Sequence, residues 1–356
     1  MPPTCQRHAS RIAVVLLMAV LLPAAGAAAD ATASAREVTL VLMTDTHLDM
    51  KCSAEDLARI ARWIVENAAA LNIGYVGHLG DVGDQRGSGA LLEMLQQARA
   101  ALQPVADAGI PISIAIGNHD HRDGGEHPRS AEAFNRPDTF GEAFYSTSPG
   151  FGNTFEQEAD FGIPHPGGTA NHYFTLDFAG EAFLFLTLEY YPRDAVMEWA
   201  DALVRERYPN HHVVVSTHAY LTRQGELSAS SYGDAETGPE YSNSGEDMWR
   251  HYLQNWKNLR FVFNGHFIDE PRQQYLEQTG VHGNTVHSHF FNYQNWAYRD
   301  GQLYNTRSGG QYQASVLRLI VIQFDDNTVR IRNILPQVNV EVEPATPEAH
   351  FFIPAP

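Results

Sequence analysis

Cysteine is scarce in this chain, and its scarcity excludes a disulfide framework. The 356 residues contain two cysteines, Cys5 and Cys52. Because Cys5 falls in an N-terminal segment that we expect to be removed, Cys52 would be left without a partner for an internal disulfide. We interpret Cys52 as a semi-buried free thiol. The alternative is a position close to a functional site, since Cys52 follows His47 by five residues.

Basic residues are also few. Lys and Arg together number 24 against 42 Asp and Glu, which gives a formal net charge of −18. Loss of Arg7 and Arg11 with the N-terminal segment would make the chain more acidic still. A surface of this charge repels polyanions, so we expect no non-specific binding of nucleic acid. A small anionic ligand remains compatible with this charge.

The longest apolar run lies near the N-terminus, at residues 12–22. Arg7 and Arg11 precede it, and small residues follow it as far as Ala29. This pattern predicts a signal peptide, residues 1–29, and a mature chain that is exported to the periplasm or secreted. The run is too short to cross a bilayer as a stable helix, so we expect no stable membrane insertion. An uncleaved anchor is the alternative.

Apolar runs alternate with helix-spaced apolar residues in the next part of the chain. Strands are predicted at residues 38–44, 73–79 and 110–116, and helices at 54–70, with Ser53 as its N-cap, and at 89–102, ended by Pro104. This alternation predicts a mainly parallel α/β sheet. In such sheets ligands bind beyond the carboxyl ends of the strands.

The later part of the chain combines further strands with two segments that lack periodicity. The predicted strands are 173–178, 182–188, 212–216, 260–263, 285–292, 315–324 and 328–334, and the predicted helices are 194–207 and 246–255. We interpret residues 121–171 and 222–246 as loop insertions over the site, the first ordered in part by its phenylalanines. One domain would cover residues 36–336. Residues 337–356 would form a C-terminal tail whose order is doubtful.

Five short segments, each at the end of an apolar run, carry side chains that ligate metals. They are Asp45-Thr46-His47, Gly80-Asp81-Val82-Gly83-Asp84, Gly117-Asn118-His119-Asp120, His218 and Gly265-His266. Carboxylates, amides and imidazoles suit hard or borderline divalent ions, so five such segments in this order predict a two-metal hydrolytic site. Taken singly, each Asp could instead cap a turn, and each His could be a core or surface residue.

The spacing suggests how these ligands divide between two ions. Asp45 and His47 share one face of an extended strand and could reach the same ion. Asp81 follows a glycine, which permits close approach, and is the natural carboxylate bridge. The remaining ligands would complete the second ion: Asn118, His218 and His266.

His119 would lie beside the ions without binding them. There it could donate a proton to a leaving oxygen or stabilise developing charge, and Asp120 could fix its tautomer. Asp120 could instead cap the loop. We interpret Asp84 as organising its own loop, His78 as a core residue and His121 as facing solvent.

These motifs resemble those of the calcineurin-like metallophosphoesterase family, whose pattern is D-x-H, G-D-x-x-D, G-N-H-D/E, a lone His and G-H-x-H. The motif order agrees over roughly residues 38–335. The resemblance implies an α/β fold, a four-layer αββα sandwich of two mixed sheets flanked by helices. It also implies two divalent ions (Fe, Mn or Zn), with Asp81 shared between them. His119 would be the acid or charge stabiliser and Asp120 its orienting partner.

The chain departs from the family pattern after His266. Ile268 stands where the last His of G-H-x-H would complete the first ion, and it cannot ligate. A bacterial exported branch of the family, which this chain also resembles at Asn292-Tyr293-Gln294, lacks the same His. The first ion would then be bound weakly, or be completed by water or a carboxylate such as Asp269.

The function that follows is an exported metal-dependent phosphoesterase, which hydrolyses a phosphate mono- or diester by attack of a metal-bridged hydroxide. Two alternatives stay open. One is a catalytically degenerate metal-binding or surface-binding protein on the same fold, and the other is a metallohydrolase that cleaves an amide or carboxylic ester. The substrate, the metal and the oligomeric state do not follow from the sequence.

Overall fold

Two seven-stranded β-sheets form the framework of the chain. The structure, a computed structural model, describes residues 36–84, 91–121, 131–158, 168–229, 242–306 and 315–352. The predicted signal peptide, residues 1–29, lies outside the described residues. In chain order the strands are β1 (Glu37–Met43), β2 (Ile73–His78), β3 (Ile112–Ile114), β4 (Phe151–Thr154), β5 (His172–Phe178), β6 (Glu181–Thr187), β7 (His212–Ser216), β8 (Leu259–Asn264), β9 (Gln273–Thr279), β10 (Thr285–Phe291), β11 (Trp296–Arg299), β12 (Gln302–Asn305), β13 (Leu317–Gln323), β14 (Thr328–Leu335), β15 (Val340–Glu341) and β16 (Ala349–Phe351).

Both large sheets are mixed. The first has the order β15-β14-β13-β1-β2-β3, with β16 also paired to β14, and the second has the order β4-β5-β6-β7-β8-β10-β9. Strands β1, β2 and β3 are parallel, as the sequence predicted, but β13 joins β1 antiparallel with Glu37 opposite Gln323. The expectation of a mainly parallel sheet was therefore wrong, because strands from the end of the chain extend the first sheet antiparallel.

Helices cover the sheets. The α-helices are α1 (Ala54–Asn67), α2 (Leu91–Asp107), α3 (Glu142–Tyr145), α4 (Asp194–Ala202) and α5 (Gly245–Asp247), and π-helical turns extend α4 over Leu203–Arg207 and α5 over Met248–Tyr252. The buried faces of α1 and α2 belong to the same core as β1 and β2. The buried face of α4 packs with β6 and β7, and Trp199 and Trp256 lie in this second core. The architecture is the mixed α/β sandwich that the resemblance implied.

The two predicted helices near the N-terminus form, with one difference. Ser53 caps α1 as expected, because its side chain accepts a hydrogen bond from the Asp56 amide at 3.1 Å. Pro104 was expected to end α2, and this was wrong. The helix continues to Asp107, Val105 is fully buried and the Ala108 amide donates to the Pro104 carbonyl. Burial of the helix face outweighs the one hydrogen bond that proline cannot make.

Two short strands within the C-terminal residues 340–352 belong to the first sheet. Both β15 and β16 pair with β14. Phe352 is 1% exposed, and its ring stacks on Phe183 and Phe261 with centroids 6.0 and 5.4 Å apart. The expectation of doubtful order was wrong for these residues, because an aromatic side chain at the end of the segment fills the space between the sheets. Residues 353–356 lie outside the described ranges.

The described part of the first aperiodic segment packs into the core. Phe134, Phe140 and Phe144 are buried, with adjacent ring centroids 5.3 Å apart, which confirms that phenylalanines order residues 131–145. Residues 122–130 and 159–167, and most of the second insertion at 230–241, lie outside the described residues. That both insertions cover the site therefore stays a prediction. Within the described ranges, no helix is long and apolar enough to cross a membrane.

Candidate metal centre

The predicted ligands meet at one edge of the two sheets. Asp45 and His47 follow β1, Asp81 follows β2 and Asn118 begins a short 3₁₀ turn after β3, whereas His218 and His266 follow β7 and β8. The first sheet thus supplies four of these residues and the second sheet supplies two. All six are brought together, as the carboxyl ends of parallel strands require.

The backbone at this edge adopts conformations that ordinary residues avoid. Asp45, His47, Asp81 and His266 all have positive φ angles, of 50°, 40°, 55° and 74°. Such residues cost free energy and persist where the surrounding structure holds them, which is common at functional sites. Glycine is required beside them: a Cβ on Gly117 would collide with the Asp81 carboxylate.

The second-ion group has the spacing of ligands around one cation. His218 Nε2 lies 3.1 Å from Asp81 Oδ2, 3.2 Å from Asn118 Oδ1 and 3.2 Å from His266 Nδ1. Metal–ligand bonds of about 2.1 Å place neighbouring ligand atoms roughly 3 Å apart. The His218 Nδ1–H donates to the Leu79 carbonyl at 2.8 Å, which leaves Nε2 as the nitrogen that faces the group. These four side chains therefore fit a divalent ion.

The first-ion group is more open. His47 Nε2 lies 3.4 Å from Asp81 Oδ2 and 3.8 Å from Asp45 Oδ1. Among the described residues, neither His47 Nε2 nor Asp45 Oδ1 has a hydrogen-bond partner, although both atoms are buried. Buried polar atoms are almost always satisfied. Two such atoms aimed at one point beside a shared carboxylate fit a cation.

The buried carboxylates of the site need positive charge beside them. Burial opposes protonation of His47, but the nearby carboxylates of Asp81, Asp45 and Asp84 outweigh it and raise its pKa to about 10. Asp81 likewise overcomes burial at His218 and raises that pKa to about 9. The pKa of Asp81 is lowered, because His218 and His47 outweigh its burial. Carboxylates this deeply buried need either protonated histidines or divalent ions as counter-charge.

Asp84 holds the histidine that was predicted to lie beside the ions. Its Oδ1 accepts from His119 Nδ1 at 3.0 Å, and its Oδ2 accepts from His47 Nδ1 at 3.1 Å. One carboxylate thereby fixes two imidazoles with their Nε2 atoms turned away from it. Ligand atoms of His47, Asp81 and His119 also lie within 4.8 Å of one another, so His119 faces the first-ion group.

Asp120 does not hold His119, and that prediction was wrong. Its Oδ1 accepts from the Gly83 amide at 2.7 Å, and its Oδ2 accepts from the Gly117 and Val82 amides at 2.9 and 3.2 Å. The alternative, a loop-capping carboxylate, is the observed arrangement. Burial and the charge of Asp81 raise the Asp120 pKa to about 6, even though the backbone donors oppose this.

Ile268 faces outward beside the site. Its side chain is 42% exposed, whereas His218 is fully buried. Asp269, considered as a substitute ligand, lies 3.9 Å from Arg223 in an ion pair. No described carboxylate takes the place of the absent histidine in the two groups that could hold an ion.

His78, His121 and Cys52 are all buried. His78 is a core residue, as expected, fully buried and 3.0 Å from the Thr46 hydroxyl. His121 was expected to face solvent, but it is only 4% exposed, so that expectation was wrong. Cys52 is a buried free thiol whose pKa burial raises to about 12. Such a thiol is protonated and poorly nucleophilic.

The sequence did not reveal Tyr190, which adjoins the second-ion group. Its ring centroid lies 5.5 Å from that of His218 and 5.1 Å from that of His266, and its hydroxyl lies 3.4 Å from His266 Nε2. Tyr190 follows β6, the strand that neighbours β7. Its position three residues beyond an apolar strand was the available signal, but tyrosine is not a usual ligand of such sites.

This chain matches one family model and is similar to several known proteins. A family model described as calcineurin-like phosphoesterase matches residues 38–270. The uncharacterised protein YvnB of Bacillus subtilis (strain 168) is 23% identical over 237 residues, which cover 66% of this chain and 16% of that protein. A 5'-nucleotidase precursor from Thermus thermophilus has 15% identity and a TM-score of 0.45, over 86% of this chain and 56% of that one. A dimetal phosphatase from Danio rerio has 11% identity and a TM-score of 0.46, over 83% and 95% of the two chains.

Proposed function

We propose that this chain, which belongs to the calcineurin-like phosphoesterase family, is an exported enzyme that hydrolyses a small phosphate mono- or diester at two divalent ions. The observation that carries the proposal is the shared position of Asp81. One oxygen of its carboxylate, Oδ2, lies 3.4 Å from His47 Nε2 in the first-ion group and 3.1 Å from His218 Nε2 in the second. A carboxylate between two ligand groups is what a two-metal hydrolase requires.

The ions would supply a hydroxide at neutral pH and neutralise the charge of the phosphate oxygens. The chain contributes their placement. Asp45, His47 and Asp81 would hold the first ion, and Asp81, Asn118, His218 and His266 the second. Asp, Asn and His side chains suit Fe, Mn or Zn.

The contact with Asp84 fixes the tautomer of His119, and this supports a role in the cleavage of a phosphate ester. Because Nδ1 donates to Asp84, Nε2 is the nitrogen left to face a substrate. In the protonated ring that atom could give its proton to the leaving oxygen of the ester. In either protonation state the Asp84 contact keeps the ring from turning.

The two ions are not expected to bind equally. The second group has four protein ligands, whereas the first has Asp45, His47 and a share of Asp81. Ile268 contributes nothing, because its side chain is apolar and 42% exposed. We propose that the first ion is bound more weakly and that part of its shell is water.

Export rests on the N-terminal sequence alone. Expression of the full chain in a bacterium with an outer membrane, followed by cell fractionation and N-terminal sequencing, tests it. We expect a periplasmic or secreted protein that begins at Asp30. A cytoplasmic protein that retains residues 1–29 would overturn this part of the proposal.

The alternative function is a metal-binding or surface-binding protein without catalysis, and Ile268 is the observation that favours it. The test is hydrolysis of p-nitrophenyl phosphate and bis-p-nitrophenyl phosphate with added Mn²⁺, Fe²⁺, Zn²⁺ or Mg²⁺. We expect turnover with at least one metal and at least a hundredfold loss in Asp81→Asn. No turnover with any metal on either ester would overturn the proposal and favour the alternative.

A further inference from the structure

Tyr190 lies where it can orient a ligand of the second ion. Its hydroxyl oxygen is 3.4 Å from His266 Nε2. The other nitrogen of that ring, Nδ1, is 3.2 Å from His218 Nε2, inside the second-ion group. His266 therefore turns one nitrogen towards the ion position and the other towards Tyr190.

The tautomer of His266 follows from this arrangement. A neutral imidazole carries its single N–H on one of its two nitrogens. A nitrogen that ligates a metal must present its lone pair. The proton then resides on Nε2, which can donate it to the Tyr190 oxygen. Partners of this kind fix ring orientation and raise the basicity of a ligating histidine.

The position of Tyr190 is itself held from several sides. The backbone of the preceding residue, Glu189, is fixed by two hydrogen bonds. Its amide donates to Asn171 Oδ1 at 2.8 Å, and its carbonyl accepts from the Thr217 hydroxyl at 3.1 Å. Thr217 directly precedes His218. The Tyr190 ring also packs against Tyr191 with centroids 4.3 Å apart, and it is 6% exposed. A buried and anchored phenol can set the orientation of a neighbour more firmly than a mobile one.

We propose that Tyr190 is a positioning residue, which holds His266 with Nδ1 towards the second ion and thereby strengthens binding of that ion. This inference rests on the proposed function, because it assumes that the site binds metal. Tyr190 adjoins His218 and His266, both of which belong to the second-ion group. Its removal should therefore weaken the second ion more than the first.

The test compares Tyr190→Phe with the wild-type chain in a stepwise Mn²⁺ titration, followed by calorimetry and by electron paramagnetic resonance. The phenylalanine keeps the packing on both histidines and removes only the hydroxyl. Loss of such a partner costs about 10- to 100-fold in metal affinity. We expect about tenfold weaker binding of the tighter ion, with the weaker step unchanged and the spin-coupled pair signal still rising along that weaker step.

Tyr220→Phe is the matched control. Tyr220 is fully buried, and its hydroxyl donates to Gln278 at 3.1 Å, so the variant also loses one buried hydroxyl bond. Equal loss of affinity in both variants, an unchanged affinity in Tyr190→Phe, or equal weakening of both steps would overturn the inference.

The same titration separates this inference from the proposed function. If the wild-type chain binds two ions but hydrolyses no ester, the proposed function is overturned, and the comparison of Tyr190→Phe with the wild type still decides the role of Tyr190. Wild-type chain that binds no metal would overturn both.

Discussion

Asp84 Oδ1 lies 3.0 Å from His119 Nδ1, and the other oxygen of the same carboxylate lies 3.1 Å from His47 Nδ1. The contact links a proposed metal ligand to the residue that would face the substrate. A change at Asp84 should therefore act on the chemistry of the site through two histidines at once.

Asp84→Asn should lower kcat about 10- to 100-fold, in the range measured when the hydrogen-bond partner of a ligating histidine is lost. The amide retains the size of the side chain, but it offers one acceptor where the carboxylate offers two. Steady-state kinetics at saturating metal measures the effect. The melting temperature should stay close to that of the wild type, and kcat equal to the wild type would contradict the assigned role.

Asp120→Ala should act on stability, because the Asp120 carboxylate accepts from three backbone amides. Buried donors left without a partner cost about 1–3 kcal/mol each, so we expect the free energy of unfolding to fall by at least that much. Urea denaturation measures it. Asp120→Asn serves as the milder control, since one amide oxygen can still accept. An unchanged unfolding free energy together with a lost kcat would instead favour a direct catalytic role.

A change in the first-ion group should weaken binding of the first ion and leave binding of the second ion unchanged. Asp45 Oδ1 has no hydrogen-bond partner among the described residues, so the ion is the natural partner for its charge. Asp45→Asn should weaken the weaker of two Mn²⁺ binding steps and spare the tighter one. Ile268→Ala should change neither step by more than about twofold, because an aliphatic side chain offers no ligand atom and this one is 42% exposed. Isothermal titration of both variants tests this, and a loss of affinity in Ile268→Ala would contradict it.

Acid should destabilise the fold through buried neutral histidines outside the metal centre. Burial lowers the pKa of His172 to about 4, against the opposing effect of its hydrogen bond to the Thr169 carbonyl. Since the unfolded ring has a pKa near 6.5, the unfolded chain takes up the proton first, and stability is lost as pH falls from about 6.5 towards 4. Between pH 7.5 and pH 5, His172 alone should lower the free energy of unfolding by about 2 kcal/mol.

His172→Phe tests this pH dependence. The position is surrounded by the rings of Tyr145, Phe151 and Phe174, so a phenyl ring can occupy it. Urea unfolding at pH 7.5 and pH 5 should show a smaller fall in unfolding free energy for the variant than for the wild type. Equal falls in the two proteins would show that His172 does not titrate as described.

The strand ends that carry the ligands could be predicted from the sequence, because each ligand directly follows an apolar run. Parallel strands bring their carboxyl ends to one edge, so Asp45, Asp81 and Asn118 had to meet. The partner of His119 could not be predicted in this way. The positive φ of Asp81 and the 3₁₀ turn Asn118–Asp120 fold the two loops so that Asp120 meets the amides of Val82 and Gly83, while Asp84 meets the imidazoles.

The pairing of strands that lie far apart in the sequence could not be predicted either. Strand β13 was recognised as a strand, but its antiparallel place beside β1 depends on contacts between residues nearly 290 positions apart. The order of the C-terminal residues depends on Phe352, whose burial against Phe183 and Phe261 has no local signal. Local propensity describes elements well and their partners poorly, because partner choice is decided by tertiary packing.

The most direct test of the account follows ester hydrolysis and metal occupancy together as Mn²⁺ is added to the metal-free chain. The central claim is a two-ion centre with one secure and one weaker position, which needs both ions for catalysis. It predicts two binding steps of different affinity, with hydrolysis of bis-p-nitrophenyl phosphate or p-nitrophenyl phosphate that rises along the weaker step. Full activity with one ion per chain, or two ions bound without hydrolysis, would contradict it.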